Sequence, residues 1–304
     1  MSLFRVADIE QTISACAHDL GDGFIVRRAL PSARRQMVGP FVFLDSFGPV
    51  SLAAGRGVDS RPHPHIGLAT LSYLTQGQMR HRDSEGHDRT LGPGEAALMI
   101  AGRGIVHSER SPQDQREGDG APLAGFQTWI ALPAQDEEMA PSFHAFPADT
   151  LPRVDGEGID LRLVAGELMG RRAPAPVRSP LFCADVTMVA GARFRLDAEH
   201  RERAVYVVEG AIKVQCQDGG FGQGQLVVFK AGAEIILRAQ TPARLMLLGG
   251  DPLTEKRHVF WNFVSSRRAR ISQAIEDWRE GRFPKVPGET EFTPLPQDRA
   301  FEPS

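Results

Sequence analysis

No stretch of the 304 residues is apolar for long enough to cross a bilayer, so no transmembrane helix is expected. The opening "MSLFRVADIEQTISACAHDL" carries Asp8, Glu10 and Asp19 and lacks the basic-then-apolar layout of a secretory signal. There is no Lys/Arg block, the formal net charge is -3, and no basic nuclear-import run is present. Neither direct nucleic-acid binding nor membrane attachment is expected from such a chain. Cysteine is scarce: Cys16, Cys183 and Cys216 are odd in number, far apart, and form no CxxC. That excludes a disulfide framework and points to free thiols in a reducing cytoplasm.

Turn formers and short apolar runs, by contrast, are plentiful. Thirty-one Gly and 22 Pro accompany 41% hydrophobic and 24% charged residues, the balance of a globular chain with many turns. "GFIVRRAL", "FVFLDSFG", "LATLSYLTQG", "EAALMIAG" and "FQTWIALP" read as strands, and the texture returns in "FCADVTMVA", "AVYVVEGAIKVQ", "GQLVVFKAG" and "RLMLLGG". The two halves echo each other. "YLTQG" at Tyr73 matches "YVVEG" at Tyr206, and "GEAALMIAG" at Gly94 matches "GQLVVFKAG" at Gly224. Two similar displacements in the same order predict a duplicated β module, 1–150 followed by 151–304, of sandwich or barrel type. "SPQDQREGDGAPLAG" (Ser111–Gly125) and "RRAPAPVRSP" (Arg171–Pro180) are expected to be exposed loops. "SRRARISQAIEDWREGRF" predicts one helix, with Ser266 as N-cap and Ile271, Ile275 and Trp278 on its apolar face. The Pro-rich end is expected to be an extended tail packed on the body.

"RPHPHIGLATLSYLTQGQMRHRDSEGH" (Arg61–His87) sets two imidazoles one residue apart. In a strand, residues i and i+2 face the same side, so His63 and His65 point together. "GRGIVHSE" repeats the device with His107 and Glu109. If these strands are neighbours, three imidazoles and one carboxylate converge, a donor set for a divalent transition metal such as iron, copper, nickel, zinc or manganese. Gly102, Arg103 and Gly104 are expected to form the tight turn that aims His107. His81, Arg82, Asp83, Glu85, His87 and Asp88 read as a solvated hairpin tip. His18, His144, His200 and His258 read as surface or core residues, and Phe126, Trp129 and Phe41 to Leu44 as core.

These segments resemble the cupins and, within them, the pirin family. Cupins carry HxH, then a Glu, a Gly and a later His. Here the usual Glu position falls at Ala69 or Thr70, and the acid instead stands two residues after the last His, at Glu109, as it does in pirins. "HPHIGLATLSYLTQG", "LGPGEAALMIAGRGIVHSE", "FQTWIALP", "FVFLDSFGP" and "NFVSSRRARISQAIEDW" carry the likeness from about Gly23 to Phe283. The resemblance implies an all-β bicupin with a C-terminal helix, a metal site at His63, His65, His107 and Glu109, and a second module without metal. Counting back from Gly210 as His63 and His65 lie from Gly77 gives Leu196 and Ala198, and Leu237 falls near the place of His107.

Four protein ligands leave about two positions on an octahedral metal for water, a chelating substrate or O2. The resemblance implies a quercetin 2,3-dioxygenase type of activity, in which a small aromatic flavonol chelates the metal, loses a proton to Glu109 and is opened by O2. The alternative that the resemblance implies is a non-catalytic iron-dependent redox sensor that binds a protein partner.

Overall fold

The computed structural model describes residues 9–20, 24–51, 55–117 and 122–296. Part of the expected loop Ser111–Gly125 (118–121) and the end of the tail (297–304) lie outside the described residues. Among the described residues the chain is all-β with one α-helix, Arg268–Arg279, and its strands form two jelly-roll modules, as the sequence predicts. No described helix is long and apolar enough to cross a membrane.

Each module joins a large antiparallel sheet to a smaller four-stranded one. In the first, the small sheet runs Asp59–His65, Ile105–Arg110, Met79–Asp83, Asp88–Leu91. In the second it runs Arg193–Leu196, Ile235–Ala239, Ala211–Val214, Phe221–Gly222. The alternation of the sequence explains the second sheet directly: Phe194 and Leu196 are buried while Arg193 and Arg195 are exposed. Phe194, Leu196, Ile212 and Leu237 of that sheet share one core with Phe182, Val205 and Leu245 of the large sheet. In the first module Met79 and Leu91 pack with Phe47, Leu74 and Leu123 in the same way.

The compact units are not two consecutive stretches divided at 150. One comprises Met1–Ala17, Arg27–Asp45 and Asp149–Pro252, and the other His18–Val26, Ser46–Ala148 and Leu253–Ser304. The N-terminal strand Ile9–Ser14 pairs antiparallel with Gln225–Phe229, extending the large sheet of the second module. The C-terminal helix belongs with the first module because its apolar face, Ile271 and Ala274, closes over Ile66, Phe260 and Phe263. A buried ion pair, Arg257 with Glu137 at 3.2 Å, fastens the segment leading to it. Glu137 also accepts hydrogen bonds from Ser265 Oγ and the Ser266 amide, so every lone pair that burial would strand is used. This corrects the expected N-cap: Ser266 Oγ turns to Glu137, and Arg267 occupies the cap position without a side-chain cap bond.

The tail packs as expected. Thr293 donates its amide to the Pro62 carbonyl at 2.8 Å, and Trp278 Nε1 donates to the Thr293 carbonyl at 3.0 Å. Glu289 takes Arg110 at 2.8 Å and the Ser108 hydroxyl. Ser108 and Arg110 alternate with His107 and Glu109, so Glu289 grips the His107 strand from the face opposite those two side chains.

Candidate metal centre

The Asp59–His65 and Ile105–Arg110 strands are antiparallel neighbours, with His107 directly opposite His63 and Ile105 opposite His65. Side-chain period two then puts His63, His65 and His107 on one face. Ring centroids lie 4.3 Å (His63–His107), 4.9 Å (His65–His107) and 5.0 Å (His63–His65) apart. One ligand atom from each of the three falls within 4.8 Å of the others. The turn that aims His107 is built as the sequence suggests. The Gly104 amide bonds the Ala101 carbonyl at 2.9 Å, and Gly102 has φ +50°. A Cβ on Gly102 would lie 2.1 Å from the Met139 carbonyl oxygen, so only Gly fits.

Pro62 and Pro64 make sense once the strand is seen at the sheet edge. The Pro62 carbonyl points outward to Thr293, so the alternate positions 62 and 64 face away from the His107 strand. Proline sits there without sacrificing a ladder donor.

The triad fits a cation. His65 and His107 are fully buried, and His63 is half-buried. Both ring nitrogens of His65 and Nε2 of His107 lack any hydrogen-bond partner. Buried polar atoms are rarely left so, and a metal is the partner three converging imidazoles accept. Burial holds all three below the usual histidine range, that of His65 and His107 well below, and each of these two is pushed further by the neighbouring rings. Asn262's backbone opposes this at His65, but it does not make a well-formed hydrogen bond to either ring nitrogen. Neutral imidazoles are the ligating form. The His63 Nδ1 pairs with the Arg61 carbonyl at 2.8 Å, which leaves Nε2 as its ligand atom.

Glu109 lies on the same strand as His107, past a bulge where the pairing slips from His63 to Ser60. It is buried, and its carboxylate attracts a proton to His63 electrostatically. Its two oxygens accept from Gln127 Nε2 at 2.7 and 2.9 Å, and Ser72 Oγ stands 3.5 Å away. Gln127 in turn accepts from Trp129 Nε1 at 3.4 Å, and Trp129 meets His65 edge-on at 5.1 Å. The sequence analysis missed Gln127 and Ser72. The available signal was a lone amide two residues before Trp129 on an otherwise apolar strand.

The expectation of a solvated hairpin tip is corrected at two positions. His81 is 5% exposed and Asp83 is fully buried, because both point inward from the Met79–Asp83 strand. That strand pairs with the far side of the His107 strand, Asp83 opposite His107 and His81 opposite Glu109. His81 Nδ1 is 3.4 Å from His107 Nδ1, and His81 Nε2 is 2.9 Å from Asp83 Oδ2. Burial alone would raise the Asp83 carboxyl, but its hydrogen bonds with His81 and the His87 amide outweigh that and keep it below the ordinary range. Arg80 and Asp88 do sit at the exposed surface, paired at 2.6 Å.

In the second module the small sheet has the same strand order, and Phe194 stands opposite Leu237 as His63 does opposite His107. Phe194 and Leu196 therefore replace His63 and His65, a two-residue correction to the expected Leu196 and Ala198. Ala198 is exposed in the bend beyond the strand. His200 is a core residue there, with Nε2 on the Glu167 carbonyl at 2.9 Å and its ring against Phe182.

Two tandem jelly rolls, of which one carries an imidazole triad, define a bicupin with a single candidate metal centre among the described residues. Comparison with known proteins narrows the class. The Pirin sequence profile matches residues 23–130, and that of the Pirin C-terminal cupin domain matches 183–284. The chain belongs to the pirin family. It is 43% identical to a pirin-like protein of Caulobacter vibrioides, over 95% of this chain and all of that one. It is 38% identical to the Pseudomonas aeruginosa protein named "Putative quercetin 2,3-dioxygenase PA1205", over 89% of this chain and 84% of that one. The crystal structure of a quercetin 2,3-dioxygenase from Acinetobacter baumannii superposes with a TM-score of 0.86 at 30% identity, covering 96% of this chain and 97% of the other.

Proposed function

We propose that His63, His65 and His107 hold one divalent transition metal, iron first, with Glu109 as fourth ligand and base, and that the site opens flavonols with O2. The observation that carries the metal is the set of buried, neutral imidazoles with three ring nitrogens lacking partners. The substrate class follows from the relatives and the solved structure that bear the quercetin 2,3-dioxygenase name. A bound metal supplies a Lewis acid that lowers the pKa of a chelating hydroxyl.

The chain's own residues do the rest. His63 is the half-buried member of the triad, and a flat chelating aromatic enters on that side. Glu109 accepts the hydroxyl proton. Gln127 and Ser72 hold its carboxylate in reserve, and exchange of the Gln127 amide for the substrate proton frees an oxygen to take it. Trp129 fixes both Gln127 and the His65 ring. Free Cys16, Cys183 and Cys216 suit work in a reducing cytoplasm.

The decisive experiment loads the protein separately with iron, copper or nickel, then follows oxygen uptake and loss of the flavonol absorption band together. Uptake matched to flavonol loss is expected. A protein that binds metal with no uptake in any form would sink the dioxygenase reading. A nearly closed triad that senses iron redox state and binds a protein partner would then take its place.

A further inference from the structure

The Met79–Asp83 strand brings a histidine and an aspartate against the back of His107, and nothing in the metal-binding reading uses them. Their hydrogen bonds have a direction that can be worked out. Asp83 is an acceptor: its Oδ1 takes the Glu85 and His87 amides at 3.0 Å each, and its Oδ2 faces His81 Nε2 at 2.9 Å. His81 Nε2 therefore carries the hydrogen. In a neutral ring the other nitrogen, Nδ1, is then an acceptor. The group facing it at 3.4 Å is His107 Nδ1, which must be the donor. A His107 ring protonated on Nδ1 has its lone pair on Nε2, the buried atom that has no partner in the protein. The His81 ring is kept in plane for this by stacking on Phe143, 4.1 Å between centroids at an interplanar angle of 12°. The far end of the chain is also fixed, because His87 Nδ1 lies 3.0 Å from both Asp83 oxygens.

We propose that His81 and Asp83 are positioning residues for the metal centre: through His81 Nδ1 they fix His107 in the tautomer that presents Nε2 to the metal. The proposal rests on the metal-binding half of the reading above and is independent of the dioxygenase half. It makes the hairpin 79–91 part of the centre. Histidine ligands held by an outer hydrogen-bond acceptor bind metal more tightly because ring orientation and tautomer are set beforehand.

The test compares the wild type with His81→Phe, which keeps the stack on Phe143 but removes the acceptor, and with His81→Gln, whose side-chain carbonyl restores one. Two quantities are read: zinc affinity by chelator competition, and the His107 ring protonation pattern by long-range proton–nitrogen NMR of the metal-free and zinc-loaded proteins. His81→Phe is expected to weaken zinc binding about 10–100-fold and to lose the single Nδ1–H pattern of His107, while His81→Gln stays within about threefold of wild type and keeps it. Loss of affinity with the pattern intact in both variants would mark a merely structural effect and overturn the proposal, as would unchanged affinity in His81→Phe. Failure of the wild type to bind zinc, iron or nickel at all would sink the metal reading itself. The positioning role would still be decided by the NMR pattern of metal-free His107, and an identical pattern in wild type and His81→Phe would end it. Should His81→Phe fail to fold, as judged by circular dichroism, the same pair of readings on His81→Ala with added imidazole replaces it.

Discussion

The two small sheets have the same strand order and nearly the same register, yet opposite chemistry. Position by position, His63, His65, His81, Asp83, His107 and Glu109 in one correspond to Phe194, Leu196, Ile212, Val214, Leu237 and Ala239 in the other. All six of the second set are buried apolar residues. Burying a Leu, Ile, Val or Phe contributes about 1.5–3 kcal/mol, whereas a polar group buried without a partner costs roughly 1–3 kcal/mol from protein mutational data. The second sheet is thus built for stability alone. The first carries a set of groups whose cost is offset only when they satisfy each other or a cation. Asp83, His81 and Glu109 find protein partners, and His65 and His107 are left with three ring nitrogens that do not.

Exchanging residues between the modules tests this contrast. The largest effect is expected from His63→Phe combined with His107→Leu, which copies the second sheet into the first. Metal content measured on purified protein should fall from about one per chain to a small fraction of that, since one imidazole and one carboxylate do not make a stable site. Melting of the metal-free protein should change little, because removing the unpaired His107 Nε2 offsets the lost contact of His107 with His81 Nδ1.

Next comes Glu109→Gln, which keeps the volume and a weak oxygen ligand but cannot hold a proton. Flavonol turnover should drop about 10²–10⁴-fold, with metal content largely retained. Equal turnover would remove Glu109 as the base. The reverse exchange, Leu237→His in the second module, should cost about 2–5 kcal/mol in chemical denaturation and bring no metal, because a lone buried imidazole gains no partner there.

The pH response is smaller and has a definite sign. Burial lowers the folded-state pKa of His63, His65 and His107 below 6.5. The unfolded chain then binds more protons than the native one between those lowered values and 6.5. Stability of the metal-free protein is full above that window and is lost as pH falls through it, by at most about 1.4 kcal/mol per pH unit for each histidine. Urea midpoints between pH 7.5 and pH 5.5 should show this slope in wild type and a shallower one in the His63→Phe, His107→Leu double variant. The smallest effect belongs to Ala198→Asp. Counting along the repeat puts residue 198 in the site position, but its exposed bend should tolerate the charge within about 0.5 kcal/mol.

That last pair of positions shows what the sequence could reveal. HxH and HxE, two residues apart on strands, determine which side chains share a face, and cross-strand pairing of His63 with His107 then follows from the fold. Counting along the repeat missed by two residues, an even slip that preserves the facing and so still predicted an apolar replacement. The hairpin was harder to read. Charged residues on both sides of His81 and Asp83 look like a solvated tip, and only the register of a third strand shows that these two point inward. The exchange of terminal segments was hidden for the same reason: it depends on Ile13 opposite Leu226 and on Ile66 under the helix, contacts between residues far apart in sequence.

The prolines of the HxH strand have one more consequence. An edge strand with free amides invites a strand from another molecule, and a histidine-bearing edge bridged by metal would be a ready nucleus for chain-to-chain growth. Pro62 and Pro64 offer no outward amide, and the outward Pro62 carbonyl is already taken by Thr293. The molecule can therefore keep His63 and His65 on a border strand while remaining a poor template for its own aggregation. Chains truncated before Thr293 should be the ones that clump.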